Sequence, residues 1–273
     1  MNGSTGSRAR TGGICAGVIL DEIEKSFPRE LAMEWDNPGL QLGRRSKEVK
    51  KIMLALDATR RVVSKAAEEN VDLLITHHPM IFGSVKQINE ETALGRKLLD
   101  LAEHGICYYA MHTNYDIALQ GMAKAAAARL GLAAEEPLEL TGTQEDKPVG
   151  IGFVSGLEES CTAAELAARC KKAFGLPAVL YYDGGHPIYR VAVCPGSGRH
   201  MLEAVRAAGA DAMITGDSGH HDGMDYYDEE LSLIDAGHFG IEQIFTEEME
   251  AFLTARFPGL TIMKEETDER RYV

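Results

Sequence analysis

KIMLALDATRRVVSKAAEENVDLLIT, residues 51–76, has the pattern of a strand, a helix and a second strand. The mostly apolar run from Lys51 to Leu56 predicts a buried strand, and the run from Val71 to Thr76 predicts another. Between them, residues 59–70 have the spacing of an amphipathic helix. Short links between such elements are typical of parallel strands that are joined by a crossover helix. The stretch therefore predicts an α/β fold.

The same alternation continues on both sides of this stretch. A helix is predicted from near Gly17, and it is followed by a turn-rich loop that contains Trp35. Further elements are a helix at 92–104, a strand at 106–111, a helix at 121–130, strands at 149–154, 179–182, 189–193, 211–215, 231–235 and 260–263, and helices at 162–174, 222–230 and 241–256. The chain therefore alternates between the two kinds of element nearly throughout.

Residues 133–147 interrupt this pattern, because they are acidic and lose the periodicity. We place a boundary between two lobes there. The predicted organisation is a flexible tail at 1–16, a first α/β lobe at 17–140 and a second at 145–273, whose last segment returns to complete a metal site. The chain has 273 residues, which is enough for two lobes with a sizeable core.

The composition excludes several classes of protein. There are 28 basic and 42 acidic residues, a net charge of −14, and no basic cluster, so binding to nucleic-acid phosphates is disfavoured. No apolar run approaches the ~20 residues that cross a membrane. The five cysteines contain no CxxC pair, and Cys107 and Cys194 lie in strand-like runs, which predicts buried thiols and a reducing compartment. The first 16 residues lack the apolar core of a signal peptide, so we expect a cytoplasmic protein.

Three groups of metal-binding residue types each follow a predicted strand. Ligands bind at the carboxyl ends of strands in α/β sheets, so the three groups can meet at one end of a sheet. The first group is His77-His78 before Pro79. Neighbours in an extended chain point to opposite sides, so each histidine can reach a different metal ion, or the turn at Pro79 can bring them together. The alternative is a pair of surface histidines in a loop.

The other two groups are His112 with Asp116 and His238 with Glu242, each four residues apart. On a helical turn this spacing places both side chains on one face. Asp116 can bridge two metals through its two oxygens, or it can cap a helix or turn. Glu242 is either a ligand beside His238 or a first-turn acid that interacts with the helix dipole.

Imidazole and carboxylate together suit Zn, Fe, Mn, Co or Ni. Five ligands exceed the need of one zinc ion and fit two divalent ions, which activate water in hydrolytic enzymes. The predicted metal ligands are His77, His78, Asp116, His238 and Glu242, with His112 as a further candidate.

Further polar or glycine-rich segments have two interpretations each. Asp217 and His221 can contact a substrate, donate protons or orient the ligands, or they can belong to a plain polar loop. Residues 195–198, predicted to open a helix, are more typical of a simple turn than of a phosphate-binding loop. Trp35 either closes over the site or anchors a core.

Five ordered stretches resemble the Nif-three-like proteins, a dinuclear-metal family whose members are described as type 2 homologues of GTP cyclohydrolase I. The resemblance extends from about Gly17 to the C-terminus. The stretches are Glu34-Trp35-Asp36-Asn37 with Gly39-Leu40, Thr76-His77-His78-Pro79, His112-Thr113-Asn114 with Asp116, Thr215-Gly216-Asp217 with His221, and Ile234-Asp235-Ala236-Gly237-His238 with Glu242. Residues 218–220, Ser-Gly-His, depart from the family's usual bulky and basic residues, which concerns substrate contacts and not the metal site.

The resemblance implies two interlocked α/β lobes with mostly parallel sheets flanked by helices and a metal cleft between them. It implies the same five ligands for two divalent metals, a short form without an inserted domain, and a ring-shaped homohexamer. His112 would be a ligand, a group behind the ligands or an acid-base residue.

These inferences favour a metal-dependent hydrolase that acts on a nucleotide-like or other small substrate. In the cyclohydrolase version, water attacks the purine ring of GTP and formate is released, with Glu242 or His112 moving protons. The first alternative is a non-catalytic metal-binding, metal-delivery or regulatory ring protein. The second is a scaffold or nucleic-acid-binding ring, which the net charge of −14 disfavours.

Overall fold

The structure, a computed structural model, describes residues 13–271. Most of the predicted tail at 1–16 therefore lies outside the described residues. Its last residues do not behave as a tail: Ile14–Cys15 pairs antiparallel with Glu48–Val49, and Ala16 begins a helix. The backbone N–H of Ala16 donates to Lys47 O at 2.7 Å, so residues 14–16 already belong to the fold of the first lobe.

The elements alternate along the described chain as the sequence predicts. The strands are β1 (Ile14–Cys15), β2 (Gly39–Leu42), β3 (Glu48–Val49), β4 (Lys51–Ala55), β5 (Leu73–Thr76), β6 (Cys107–Ala110), β7 (Glu139–Gln144), β8 (Lys147–Ile151), β9 (Phe153–Cys161), β10 (Leu180–Tyr182), β11 (Ile188–Ser197), β12 (Ala212–Gly216), β13 (Ser232–Asp235) and β14 (Thr261–Glu265). The helices are α1 (Ala16–Ser26), α2 (Arg60–Glu68), α3 (Ala93–Glu103), α4 (Thr113–Ile117), α5 (Met122–Leu130), α6 (Ala163–Phe174), α7 (Leu202–Ala207), α8 (His220–Asp228), α9 (His238–Glu242) and α10 (Ile244–Arg256).

Two five-stranded sheets carry the fold. In the first, the order is β14-β4-β5-β6-β2, and every pair is parallel except β6 with β2. In the second, the order is β10-β13-β12-β11-β9, and the three central strands are parallel. The prediction of an α/β fold with mostly parallel sheets is confirmed.

The end of the chain returns to the first sheet. Strand β14 pairs in parallel with β4, with Thr261 opposite Lys51 and Glu265 opposite Ala55. Sequence periodicity predicted this strand but not its sheet, because strand pairing across some 200 residues leaves no local signal. The predicted boundary at 140–145 therefore does not fully separate the two sheets, because β14 follows the boundary in sequence but belongs to the first sheet.

Two local predictions were wrong. Residues 133–147 are not without periodic structure, since β7 and β8 form a hairpin there. Its residues are largely exposed, so no buried face marks it in the sequence. Residues 195–198 do not open a helix: Pro195 to Ser197 belong to β11, and α7 begins at Leu202.

The apolar core joins the two lobes. One cluster includes Ile75 of the first sheet, Ile234 of the second and Phe245 of α10, and all three are fully buried. Burying one such side chain stabilises the fold by about 1.5–3 kcal/mol. Helix α10 packs against β14, β4 and α5, so it fixes α9 at the end of the first sheet. None of the helices within residues 13–271 has the length and apolar character that a membrane crossing requires.

Candidate metal centre

The five predicted ligands come together where strands of both sheets end. His77 and His78 follow β5, and Asp116 lies on α4 just after the neighbouring strand β6. His238 and Glu242 lie on α9, directly after β13 of the second sheet. The carboxyl ends of parallel strands thus bring these five residues together, as expected for a ligand site in an α/β sheet.

One group of three possible ligand atoms consists of two imidazole nitrogens and one carboxylate oxygen of Glu242. His78 Nε2 and His238 Nε2 lie 3.1 Å apart. They lie 3.1 Å and 3.0 Å, respectively, from Glu242 Oε2. These three residues form one set that could hold a metal ion.

A second group uses the other oxygen of the same carboxylate. His77 Nε2 lies 3.7 Å from Glu242 Oε1 and 3.4 Å from Asp116 Oδ1. His77, Asp116 and Glu242 form another set that could hold a metal ion. Glu242 belongs to both of these sets, whereas Asp116, which the sequence suggested as a bridging carboxylate, belongs to one.

Several atoms of this cluster are buried without a hydrogen bond. His77 Nε2, Asp116 Oδ1 and Glu242 Oε2 have no partner in hydrogen-bond geometry, although the distances between the groups are short. An unsatisfied buried polar group costs about 1–3 kcal/mol, and more when it is charged. His77 Nε2 and Asp116 Oδ1 belong to the second set of ligand atoms and Glu242 Oε2 to the first, so these residues could bind a metal ion.

Each imidazole is oriented through its other nitrogen. His77 Nδ1 donates to Met111 O at 2.7 Å, and His78 Nδ1 lies 2.8 Å from Asp57 Oδ1. Such contacts fix the ring and leave Nε2 for a ligand. Asp57 was not predicted as a site residue, yet it directly follows β4, so the same strand-end rule could have identified it.

The same arrangement holds on the other side of the cluster. His238 Nδ1 lies 2.8 Å from Asp217 Oδ2, and His112 Nδ1 lies 2.9 Å from Asp36 Oδ1. His112 joins His77 and His78 in a third set that could hold a metal ion. Asp217 therefore supports His238, one of the roles considered for it.

The pKa values of several groups in the cluster are strongly shifted. Burial, together with the neighbouring Glu242, raises the pKa of Asp116 to about 8. Burial opposes the charge of Glu242 too, but three histidines hold its pKa well below the usual range. Burial opposes protonation of His78, yet the adjacent carboxylates of Asp57 and Glu242 raise its pKa to about 10. The cluster therefore attracts positive charge, which protons supply when no metal does.

A cavity of about 610 Å³ opens beside the cluster. Its wall includes the imidazoles of His78, His112 and His238. Apolar residues and charged residues complete it: Leu56, Val62, Pro79, Phe82, Phe239, Asp57, Asp217, Glu265, Asp268, Glu269 and Arg270. This size suits a small-molecule ligand.

The remaining predicted residues lie around this cavity or away from it. Trp35 is 59% exposed with its ring centroid 5.7 Å from that of His112, so it does not anchor a core. His221 lies in the first turn of α8, exposed, and it is not part of the cavity wall. A role for His221 in substrate contact stays a prediction.

The sequence suggested that Gly196 lies in a simple turn, but its backbone lies against Glu242 of the candidate metal centre. Its φ is +78°, and a Cβ atom there would lie 2.2 Å from Glu242 Oε1. Only glycine allows the backbone of β11 to approach the central carboxylate this closely. Helix α7 begins too late for a phosphate-binding loop at this point.

The chain is similar to several known proteins. The family model described as Duf34/NIF3 (NGG1p interacting factor 3) matches residues 16–269. A protein of Clostridium acetobutylicum named GTP cyclohydrolase 1 type 2 homolog is 38% identical over 225 residues, which cover 82% of this chain and 84% of that protein. A protein of Streptococcus pneumoniae with the same name is 35% identical, and the match covers 88% of this chain and 90% of that protein.

A solved structure shows the same fold. It is described as reduced HcgD from Methanocaldococcus jannaschii, and it superposes with a TM-score of 0.81 at 30% identity. The match covers 93% of this chain and 99% of that chain.

Proposed function

The chain belongs to the Duf34/NIF3 family, and on that basis we propose that it is a metal-dependent hydrolase with two divalent ions held by His77, His78, Asp116, His238 and Glu242. One ion would be held by His78, His238 and Glu242, and the other by His77, Asp116 and Glu242. Zn, Fe, Mn, Co and Ni all suit these ligands.

The observation that carries the proposal is the shared position of Glu242. Its Oε2 atom lies 3.0 Å from His238 Nε2, and its Oε1 atom lies 3.7 Å from His77 Nε2. The side chain is 4% exposed, so neither oxygen is satisfied by bulk water. A buried carboxylate shared by two sets of possible ligands supports a pair of metal ions.

The residues around the pair have separate tasks. When bound, such ions lower the pKa of water and stabilise developing negative charge. Asp57 and Asp217 hold His78 and His238 so that Nε2 faces the centre. His112 borders the cavity and is held by Asp36, which suits it to move protons to or from a substrate. Glu242 is less suited to that task, because the histidines around it keep it ionised.

The substrate would be a small molecule that enters the cavity of about 610 Å³. Relatives at 35–38% identity are named GTP cyclohydrolase 1 type 2 homolog, which supports a nucleotide-like substrate. As part of the same proposal, the protein would be a cytoplasmic homohexamer. Buried free thiols at Cys107, Cys170 and Cys194 support a reducing compartment, and sedimentation equilibrium would test the hexamer.

The test is the metal content of the purified chain, without affinity tag or chelator, for the parent protein and His78→Ala. We expect roughly two divalent ions per chain and loss of at least one in the variant. His186→Ala is the matched control, since His186 is exposed and contacts only Glu230 among the ion pairs described. Unchanged metal in His78→Ala would refute the assignment.

A second measurement separates catalysis from metal delivery. Phosphoester and GTP hydrolysis would be followed with the metal-loaded protein in the presence of a weak chelator. Turnover without loss of metal supports the hydrolase. Metal that passes to the chelator within minutes, with no turnover, would favour the metal-delivery alternative instead.

A further inference from the structure

Two large aromatic side chains lie exposed next to His112 of the cavity wall: Phe82 lines the cavity itself, and Trp35 packs against His112. Trp35 is 59% exposed and Phe82 is 51% exposed. Their ring centroids lie 5.7 Å and 5.8 Å, respectively, from that of His112. Both rings stand nearly perpendicular to this imidazole, at 72° and 78°. Both rings therefore pack on the imidazole at a steep angle, and about half of each side chain stays open to a ligand.

The loops that carry the two rings are fastened to each other. Asn37 Nδ2 and Gln41 Nε2 donate to Ile81 O at 2.7 Å and 2.8 Å. The N–H of Ile81 donates back to Gln41 Oε1 at 3.0 Å. Ile81 directly precedes Phe82, so three hydrogen bonds set the distance between the Trp35 loop and the Phe82 loop.

A second set of hydrogen bonds attaches the Trp35 loop to His112 and Thr113, beside the candidate metal centre. Asp36, the next residue, accepts from Thr113 N at 2.9 Å and contacts His112 Nδ1 at 2.9 Å. Met33 N donates to Thr113 Oγ1 at 2.9 Å. The two aromatic rings are thus exposed but held in place, which is the property of a binding surface and not of a loose loop.

Phe82 lies within a long segment without regular structure. No helix or strand lies between β5 and α3, a stretch from His77 to Thr92 within the described chain. Connections of this length in a compact fold usually serve binding. The apolar side chains Leu56, Pro79 and Phe239 continue the surface inward from Phe82. A flat apolar body can therefore enter between the rim and the histidines.

We propose that Trp35 and Phe82 form an aromatic clamp, which stacks on a flat conjugated ring of the substrate while the polar edge of that ring faces His112. This inference rests on the proposed function, because the clamp serves to place a ring beside a hydrolytic centre. It restricts the substrate to heteroaromatic compounds of nucleobase size. Aliphatic phosphoesters of equal charge would lack the stacking that the clamp supplies.

Trp35 is the only tryptophan of the chain, so its fluorescence reports directly on the clamp. The full chain, metal-loaded and metal-free, would be titrated with guanosine 5′-monophosphate and with ribose 5-phosphate, with excitation at the red edge of the tryptophan band. We expect saturable quenching by the first compound and none by the second. Both carry one phosphate, so the ring is the only difference.

Phe82→Leu should weaken the binding of guanosine 5′-monophosphate roughly 10-fold, and Phe82→Tyr should retain it. Tyr227→Leu is the matched control, since Tyr227 is equally exposed on α8, outside the cavity. Circular dichroism and metal content would show that the variants fold. Equal quenching by both compounds would refute the clamp, and so would unchanged affinity in Phe82→Leu. Quenching that varies with protein concentration but not with ligand concentration would refute it as well.

Failure of the clamp and failure of the hydrolase are separable. Quenching needs no turnover, so ring binding without hydrolysis would refute the proposed function and leave the clamp. Hydrolysis of aliphatic phosphoesters without any response of Trp35 would refute the clamp and leave the hydrolase.

Discussion

The Nε2 atoms of His78 and His238 face each other at 3.1 Å. Each ring has its Nδ1 atom on an aspartate, Asp57 for His78 and Asp217 for His238. When both rings are neutral, with the proton on Nδ1, two lone pairs point at each other. When both are protonated, two positive charges do so. A metal ion removes both conflicts at once.

Removal of metal should therefore destabilise the fold. At a free metal concentration of about 100 times Kd, binding adds about 2.7 kcal/mol to the free energy of unfolding. Thermal unfolding with and without dipicolinate should show a higher Tm for the loaded protein. His78→Ala should lose this dependence, whereas the control His186→Ala should keep it. A Tm that is independent of chelator would contradict the prediction.

Asp57→Asn and Asp217→Asn should weaken metal binding without unfolding the chain. Partners that orient a ligating histidine contribute about 10–100-fold to metal affinity. Competition with a chromogenic chelator would measure the affinity of each variant. Asp228→Asn, an exposed change on α8, is the control. Parent-like affinity in both variants would show that the contacts are incidental.

Gly196→Ala should damage the site more than the backbone strain alone explains. The new Cβ would lie 2.2 Å from Glu242 Oε1, whereas Gly185 has nothing within 4 Å and a similar φ of +82°. Both alanines suffer the positive φ, about 1 kcal/mol. Only Gly196→Ala should lose metal. Equal metal content in the two variants would show that β11 moves away at little cost.

Glu265 should contribute stability that depends on pH. Burial opposes its charge, but Arg61, Lys65 and Thr267 lower its pKa to about 2 from 4.5. A pKa that is lowered in the folded state gives stability that is present above about pH 4.5 and lost as pH falls towards 2. Glu265→Gln should lower the free energy of unfolding by roughly 1–2 kcal/mol at pH 7, because the cations are partly exposed. Urea unfolding should show this difference shrinking near pH 3, and a constant difference would refute it.

Sequence periodicity predicted most of the fold because the helices and strands are amphipathic or buried over their own length. Helix α6, predicted at 162–174, is observed at Ala163–Phe174 and begins with a capping box of Thr162 and Glu165. Helix α5, predicted at 121–130, is observed at Met122–Leu130 and ends at Gly131, which is left-handed at φ +62°. The hairpin β7–β8 escaped prediction because it has little buried surface.

The site was predictable in its residue types but not in its division of roles. Four-residue spacing indicated His238 with Glu242, and these two are indeed adjacent. The same spacing suggested His112 with Asp116, yet Oδ1 of Asp116, on α4, lies 3.4 Å from Nε2 of His77, which follows the neighbouring strand β5. The shared position of Glu242 depends on contacts between the two sheets, which no local pattern records.

The return of β14 to the first sheet has a consequence for biosynthesis. Strand β4 is synthesised early, but its neighbour on the outer side of the sheet is β14, residues 261–265. That edge of β4 therefore has no partner strand until β14 has been synthesised. Helix α9 precedes β14 by the 18 residues 243–260, so the possible ligands of both halves become available together shortly before β14 is made. The outer strand of the first sheet and the candidate metal centre are therefore completed at nearly the same stage of synthesis.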